Sequence, residues 1–344
     1  VRRSGEEPWQ WWKHGVIYQI YPRSFQDTDR NGIGDLKGII SRLDYLEWLG
    51  VDGVWLSPVY ASPMVDMGYD ITDYTSIDPI FGTMADMQAL IAAAHQRGIR
   101  VIMDMVLNHT SDKHPWFLES ASSMRNPRRN WYIWKSVPVG KRPNNWKSAM
   151  GGSAWTTDST TGEMYLHSFF KEQPDLNWRE PEVAHEFEGI LRFWMELGVD
   201  GFRFDVINMV IKDRRFRNNP FSGQWPFFQE HRYNRDRGKS VEVVRFLRKT
   251  LDKFPERVGI GEVYASPPGN PVNAARYLSD GSDGLHLAFD FSLLFRRWNA
   301  WDYYQCINAW YQSIPQGGWP CIVLSNHDLL RHYNRIPWRT HKLA

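Results

Sequence analysis

Residues 199–206 read Val-Asp-Gly-Phe-Arg-Phe-Asp-Val. The run is mostly apolar and carries Arg203 and Asp205 two positions apart near its end. Strand side chains at i and i+2 share a face, so a buried strand here lets Arg203 hold Asp205 ionised and oriented. On the N-terminal side, residues 181–197 have the pattern of a helix, closed by Gly198. On the C-terminal side, residues 240–253 read as a helix and 258–263 as a strand. The same alternation recurs nearer the N-terminus. Residues 16–20 predict a strand, 35–50 a helix, 54–56 a strand, 83–97 a helix and 100–107 a strand. In the 35–50 segment Leu36, Ile39, Ile40, Leu43, Leu46 and Leu49 recur near the helical period, and Gly50 is placed to cap it. Residues 285–289 and 320–324 supply a sixth and a seventh strand. Strand–helix alternation argues for a parallel sheet with helical crossovers. Residues capable of chemistry repeatedly close these strands, which favours a (β/α)8 TIM barrel over a doubly wound sheet.

Between the third strand and the 181–197 helix, residues 108–177 show little clean periodicity and are rich in Trp, Asn, Ser, Gly and Pro. A structureless loop of that length is rare in a compact domain, so the segment is expected to be an inserted domain on the catalytic face. Residues 1–107 and 178–344 then form the two parts of the barrel. Residues 211–237 read as a second irregular, basic insertion over the same face. Only twenty residues follow the seventh strand, so the barrel is expected to be truncated there.

Composition narrows the functional classes. The 42% hydrophobic and 23% charged residues of the 344-residue chain suit a globular fold and argue against disorder. Eighteen Trp are many for a core alone, and flat rings suit stacking on sugars or bases, although an aromatic-rich core would leave the same trace. The net charge is +2 and there is no basic tail, so no nucleic-acid partner is expected. Cys306 and Cys321 read as reduced thiols. The first residues lack an apolar leader and no apolar run is long enough to span a bilayer. The expectation is a cytoplasmic protein with no membrane partner, a monomer or homodimer acting on a small-molecule substrate. No phosphate-binding glycine motif is present, so no organic cofactor is expected.

The strand ends carry Asp104, Asn108 and His109, then Asp205, then Glu262, then Asn326, His327 and Asp328. Carboxylates from different strands would converge on one pocket. Such a set suits glycoside hydrolysis, in which one carboxylate attacks the anomeric carbon and a protonated one donates to the leaving oxygen. Asp205 fits the nucleophile. Glu262, in the apolar setting Val258-Gly-Ile-Gly-Glu-Val-Tyr264, fits the acid/base because burial raises a carboxyl pKa. Asp328 could hold sugar hydroxyls and keep Glu262 protonated, and His109 and His327 could donate to ring hydroxyls. A metal reading of these His and Asp finds no supporting ligand motif. Separately, Asp27, Asp29, Asn31, the Ile33 carbonyl and Asp35 follow the spacing of a calcium loop, with Gly32 at the sharp turn. Position 12 is Gly38, so this is not an EF-hand, and an Asx-rich turn is the alternative.

The stretches GVIYQIYPRSFQD, GVWLSPVYASP, GYDITDY, DMVLNHTSD, QPDLN, GFRFDVIN, GEVY and SNHD occur in this order. Together they resemble the alpha-amylase family of glycoside hydrolases, and within it the alpha-glucosidase and oligo-1,6-glucosidase branch. The resemblance spans about residues 9–335. It implies Asp205 as nucleophile, Glu262 as acid/base and Asp328 as transition-state stabiliser. It implies Asp104, His109, Arg203 and His327 as substrate-binding companions, Tyr69 as a stacking platform and Asp70 as the carboxylate that holds a non-reducing-end glucose. The Asp27–Asp35 loop then resembles the structural Ca2+ or Mg2+ site of that branch, and residues 108–177 its domain B. The implied activity is an exo-acting retaining alpha-glucosidase, with transglucosylation open. An inactive truncated fragment, a sucrose isomerase-type glucosyltransferase and a non-catalytic carbohydrate-binding relative are the alternatives. Val206 after the nucleophile resembles alpha-1,6-acting members, whereas residues 216–236 resemble alpha-1,4-acting ones. Members of the family continue into an eighth strand and a C-terminal β domain, and the resemblance leads to the expectation that this sequence stops short of both, and of an Arg expected after the seventh strand.

Overall fold

A computed structural model describes residues 9–222, 229–267 and 269–335. Residues 336–344, among the twenty that follow the expected seventh strand, lie outside the described residues. Six parallel strands form one sheet: β1 (Ile17–Ile20), β2 (Gly53–Leu56), β3 (Arg100–Val106), β4 (Gly201–Asp205), β5 (Val258–Gly261) and β6 (Leu287–Ala288). Their order in the sheet is their order in the chain. A doubly wound sheet reverses direction at a switch point, and this one does not. It is the curled sheet of a (β/α)8 barrel, with helices such as Met84–Gln96, Pro181–Glu196 and Lys239–Leu251 between successive strands.

Strands β2 to β6 are buried on both faces, β1 is half-buried, and alternate side chains go to different layers. Val54, Leu56, Val101, Met103, Phe202 and Phe204 join the large core shared with the helices. Trp55, Ile102, Val258, Ile260 and Leu287 form a separate cluster within the barrel. Arg203 and Asp104 are directly paired in the β3–β4 register and buried on that inner side. Strand β4 starts with Gly201 because the chains approach closely there. A Cβ at that position would come within 2.4 Å of the Val258 carbonyl oxygen.

Three readings of the sequence need correction. Residues 35–50 form two helices, Leu36–Ile40 and Leu43–Leu49. The Ser41 hydroxyl donates to the Gly38 carbonyl at 2.8 Å, an interaction that competes with helix continuation. Residues 320–324 are not a strand; the one ladder pairing there is an isolated parallel bridge between Asp290 and Ile322. The helix Ala300–Ser313 escaped prediction because it buries only Cys306 and Trp310, while Trp301, Tyr304 and Tyr311 are exposed, so no apolar stripe marks it.

The segment between β3 and Pro181–Glu196 has structure of its own. It holds the helix Pro115–Ser122 and a three-stranded antiparallel sheet of Trp134–Lys135, Met164–Leu166 and Trp155–Thr157. Many of its tryptophans are core: Trp116, Trp131, Trp146 and Trp155 are all buried. Both cysteines are free. Among the described residues no helix is long and apolar enough to cross a membrane.

At the N-terminal end of the sheet, Asp200 is buried and ties neighbouring elements together. It accepts from the Val101 N–H at 2.8 Å and pairs with His95 at 2.7 Å and Arg100 at 3.0 Å. Burial pushes its pKa up, but His95, the Val101 N–H and Arg100 together hold it below the ordinary value. A depressed carboxyl stabilises the fold above its unfolded pKa and loses that contribution as pH falls through its folded one. Asp200→Asn should therefore cost about 3 kcal/mol or more at pH 7. In thermal melts the deficit should close as the pH is lowered from about 4 toward 2.

Candidate active site

The C-terminal ends of β3, β4 and β5 and the residues after the Asp290–Ile322 bridge converge on a cavity of about 700 Å3. That volume is ordinary for a small-molecule site. Asp205, Glu262, Asp328, Tyr69, His109 and His327 all line it. Asp104 and Arg203 lie buried directly beneath.

Arg203 organises the floor. Its Nη1 donates to Asp104 Oδ1 at 2.8 Å and to Asp205 Oδ1 at 2.6 Å, and its Nη2 meets Glu262 Oε1 at 2.5 Å. One guanidinium thus joins residues from three adjacent strands. Asp104 also accepts from the Tyr69 hydroxyl at 3.1 Å and the Trp55 indole at 3.3 Å. The Tyr69 ring stacks on His327 at 6.0 Å between centroids, and its hydroxyl lies 3.0 Å from His327 Nε2. Gln19 from β1 reaches His327 Nδ1 at 3.1 Å, so the ring is gripped from both sides. Asp328 accepts from the Tyr264 hydroxyl at 3.2 Å and from Asn326 Nδ2 at 3.1 Å.

The electrostatics separate the carboxyls. Burial raises the Glu262 pKa well above its ordinary value; Arg203 pulls it down, while the charges of Asp205 and Asp328 push it further up. Burial lifts Asp104 to about 7 against the pull of Arg203. The carboxyls titrate together, and burial with the neighbouring charges favours the protonated form of Glu262. The Val206 N–H donates to Glu262 Oε2 at 3.1 Å, which fixes that carboxyl against the end of β4. Val206 itself has φ 36°, a left-handed conformation that is unusual for a β-branched residue and turns the chain sharply after Asp205.

Asp70 does not face the cavity. It is fully buried under its own loop, where it accepts from Ser62 Oγ at 3.0 Å and from the Val65 and Asp66 N–H groups at 2.9 Å. Asp66 lines the cavity in its place. Gln173 Nε2 donates to Asp66 Oδ2 at 2.8 Å and lies 3.0 Å from His109 Nε2. The QPDLN stretch thus has a physical role. Gln173 joins the inserted segment to two cavity residues, and Asp175 accepts from Asn108 at 3.1 Å and pairs with the buried Lys212 at 2.8 Å. Sequence reasoning missed Asp66, Tyr264 and Gln19. Tyr264 was within reach, since it lies two positions beyond Glu262, whereas Asp66 sits in an irregular loop with no period to read.

In the Asp27–Asp35 loop, carboxylate oxygens of Asp27, Asp29 and Asp35 lie within 4.8 Å of one another. The Asx-turn reading also has its bonds: Asp27 Oδ1 accepts from Arg30 N–H at 2.7 Å and Asn31 Oδ1 from Ile33 N–H at 2.7 Å. The clustered oxygens are those of the three Asp, and Asn31 Oδ1 is engaged by the Ile33 N–H.

A carboxyl whose folded pKa is raised stabilises the fold below its unfolded pKa, and that contribution is lost as pH rises through the folded value. Glu262→Gln removes this liability. Its melting temperature relative to the unsubstituted protein should therefore rise steadily between about pH 5 and pH 9. A constant offset across that range would mean that Glu262 is ionised in the folded protein.

The model of the alpha amylase catalytic domain matches residues 19–342. Over 339 residues the chain is 45% identical to a protein named "Probable alpha-glucosidase" in Rhizobium meliloti (strain 1021), covering 94% of this chain and 61% of that one. It is 44% identical over 339 residues to an oligo-1,6-glucosidase of Parageobacillus thermoglucosidasius, covering 95% and 59%. Among solved structures it superposes with a TM-score of 0.90 and 40% identity on the alpha-glucosyl transfer enzyme XgtA, covering 95% of this chain and 63% of that one. The chain spans about 60% of the length of these relatives. A barrel with catalytic-type carboxyls at its strand ends, matched over nearly all its length, belongs to the alpha-amylase family of glycoside hydrolases, in the alpha-glucosidase and oligo-1,6-glucosidase branch.

Proposed function

We propose that this protein is a retaining, exo-acting alpha-glucosidase that releases glucose from the non-reducing end of short alpha-glucosides. The observation that supports it most is the Arg203 bridge. One guanidinium contacts both Asp205 at 2.6 Å and Glu262 at 2.5 Å. That span favours the carboxyl separation of a retaining enzyme, about 5–5.5 Å, over the wider one of an inverting enzyme.

In this reading Asp205, oriented by Arg203, attacks the anomeric carbon. Glu262 gives its proton to the leaving oxygen and, in the second step, takes one from the incoming water or hydroxyl. Asp328 and His327 hold ring hydroxyls as the sugar distorts, and His109 donates from the opposite wall. Tyr69 stacks on the bound glucose. Asp66 takes the role expected above of Asp70, holding the terminal sugar and, with Gln173, closing that end of the cavity. Residues 108–177 form domain B, the wall that carries Gln173 and Phe169. Transfer to a sugar acceptor is a second reading. It is supported by likeness to a trehalulose synthase structure, 37% identical with a TM-score of 0.85 over 92% of this chain.

Asp27, Asp29 and Asp35 are proposed to hold a structural Ca2+ or Mg2+. Hard oxygen donors suit either ion, and a divalent cation would relieve the repulsion among carboxylates so close together.

Three measurements test this. Asp205→Asn should lower glucose release from p-nitrophenyl alpha-glucoside by about a thousandfold or more, with the melting temperature little changed. Val206→Ala should shift the ratio of maltose to isomaltose cleavage toward maltose. Chelator should lower the melting temperature, added Ca2+ should restore it, and Asp29→Asn should abolish the response.

A further inference from the structure

A neutral imidazole carries one N–H, and its two nitrogens are not equivalent, so the neighbours of a ring settle which of them donates. His327 lines the catalytic cavity half-buried, stacked on Tyr69 and edge-on to Trp55, each at 6.0 Å between centroids. Burial lowers its pKa. Asp328 and Asp205 pull it up, Arg203 and Arg331 push it down, and the balance favours the uncharged ring.

The two nitrogens face opposite chemistry. Nε2 lies 3.0 Å from the Tyr69 hydroxyl and 3.3 Å from Asp328 Oδ1. The one proton of that hydroxyl goes to Asp104 Oδ2 at 3.1 Å, so toward His327 its oxygen can only accept. Asp328 is an acceptor as well, taking bonds from the Tyr264 hydroxyl and Asn326 Nδ2. Nδ1 instead meets the Gln19 amide nitrogen at 3.1 Å, and the second N–H of that amide is directed to Ser57 Oγ at 3.3 Å. Moving the ring proton to Nδ1 would set it against the Gln19 N–H and leave Nε2 bare between two acceptors, with hydrogen bonds lost on both sides of the ring.

We propose that Gln19 is a positioning residue that fixes His327 as its Nε2–H tautomer, so that the ring keeps a donor aimed at the sugar in the catalytic cavity. Gln19 lines a neighbouring cavity and not the catalytic one, so its influence passes through the ring. The hydrogen bond made by one imidazole nitrogen sets what the other can do. That the receiver is a sugar hydroxyl rests on the function proposed above; the tautomer itself does not.

Long-range proton–nitrogen NMR of the protein labelled in histidine tests it, with His327→Asn identifying the signal. In the unsubstituted protein Nε2 should carry the proton at neutral pH, and Nδ1 should resonate as a bare nitrogen that accepts a hydrogen bond. Gln19→Met should move the Nδ1 resonance to that of a bare nitrogen without a donor, and should lower kcat/KM for p-nitrophenyl alpha-glucoside by about tenfold. Gln19→Glu, which fills the same space with an acceptor, should raise the pH at which the ring titrates by about one unit or more. An Nδ1–H ring in the unsubstituted protein overturns the proposal without need of any variant. So does an Nδ1 resonance that Gln19→Met leaves unmoved, or a ring that titrates at the same pH in Gln19→Glu. Unchanged kcat/KM in Gln19→Met with the Nδ1 resonance moved would overturn the positioning role. An Nε2–H ring in a protein that cleaves no p-nitrophenyl alpha-glucoside would uphold the tautomer and count against the hydrolase reading.

Discussion

The guanidinium of Arg203, buried within the barrel, is the charge around which the site is built. Taking it out of water costs several kcal/mol, and burial of its carboxyl partners costs as much again. The cost is offset only if the partners arrive with good geometry. Strand β4 supplies Arg203 and Asp205 on one face, β3 brings Asp104 into direct register with Arg203, and β5 brings Glu262 from the other side. A register slip of one residue in any of these strands would turn its polar group outward into the helix-facing core. The parallel register and the catalytic geometry are thus one constraint. The same cluster explains why the Glu262 pKa is raised: the carboxyl is buried, and a single cation faces it together with several other carboxyls.

A second buried cation does for the wall what Arg203 does for the floor. Lys212, after β4, contacts Asn108 Oδ1 at 2.6 Å and Asp175 at 2.8 Å. Asn108 closes β3 and Asp175 belongs to the returning end of the inserted segment, so Lys212 fastens that segment at both ends to the barrel mouth. His109 and Gln173 lie beside these two residues, and through them Asp66 is held at the cavity. The network runs from core to rim through hydrogen bonds buried from water, where each lost partner is expensive.

Much of this was legible in the chain itself. Apolar runs located the parallel strands, which are covered on both faces, and period-3.6 patterns located the long helices, which bury one face. Asp104, Asp205 and Glu262 were visible because each terminates such a pattern. The patterns failed where burial does not follow a period. The helix Ala300–Ser313 exposes aromatic residues, residues 320–324 contribute a single bridge, and the break at Ser41 arises from a local hydroxyl contact.

The sequence by itself determined the family, the barrel and the chemically capable residues, because these depend on local periodicity and on residue type at strand ends. Only the tertiary structure decided which of two nearby aspartates meets the cavity. Asp66 and Asp70 share an irregular loop, and their orientations are set by long-range partners: Gln173 draws out Asp66, while the loop's own N–H groups fold Asp70 beneath.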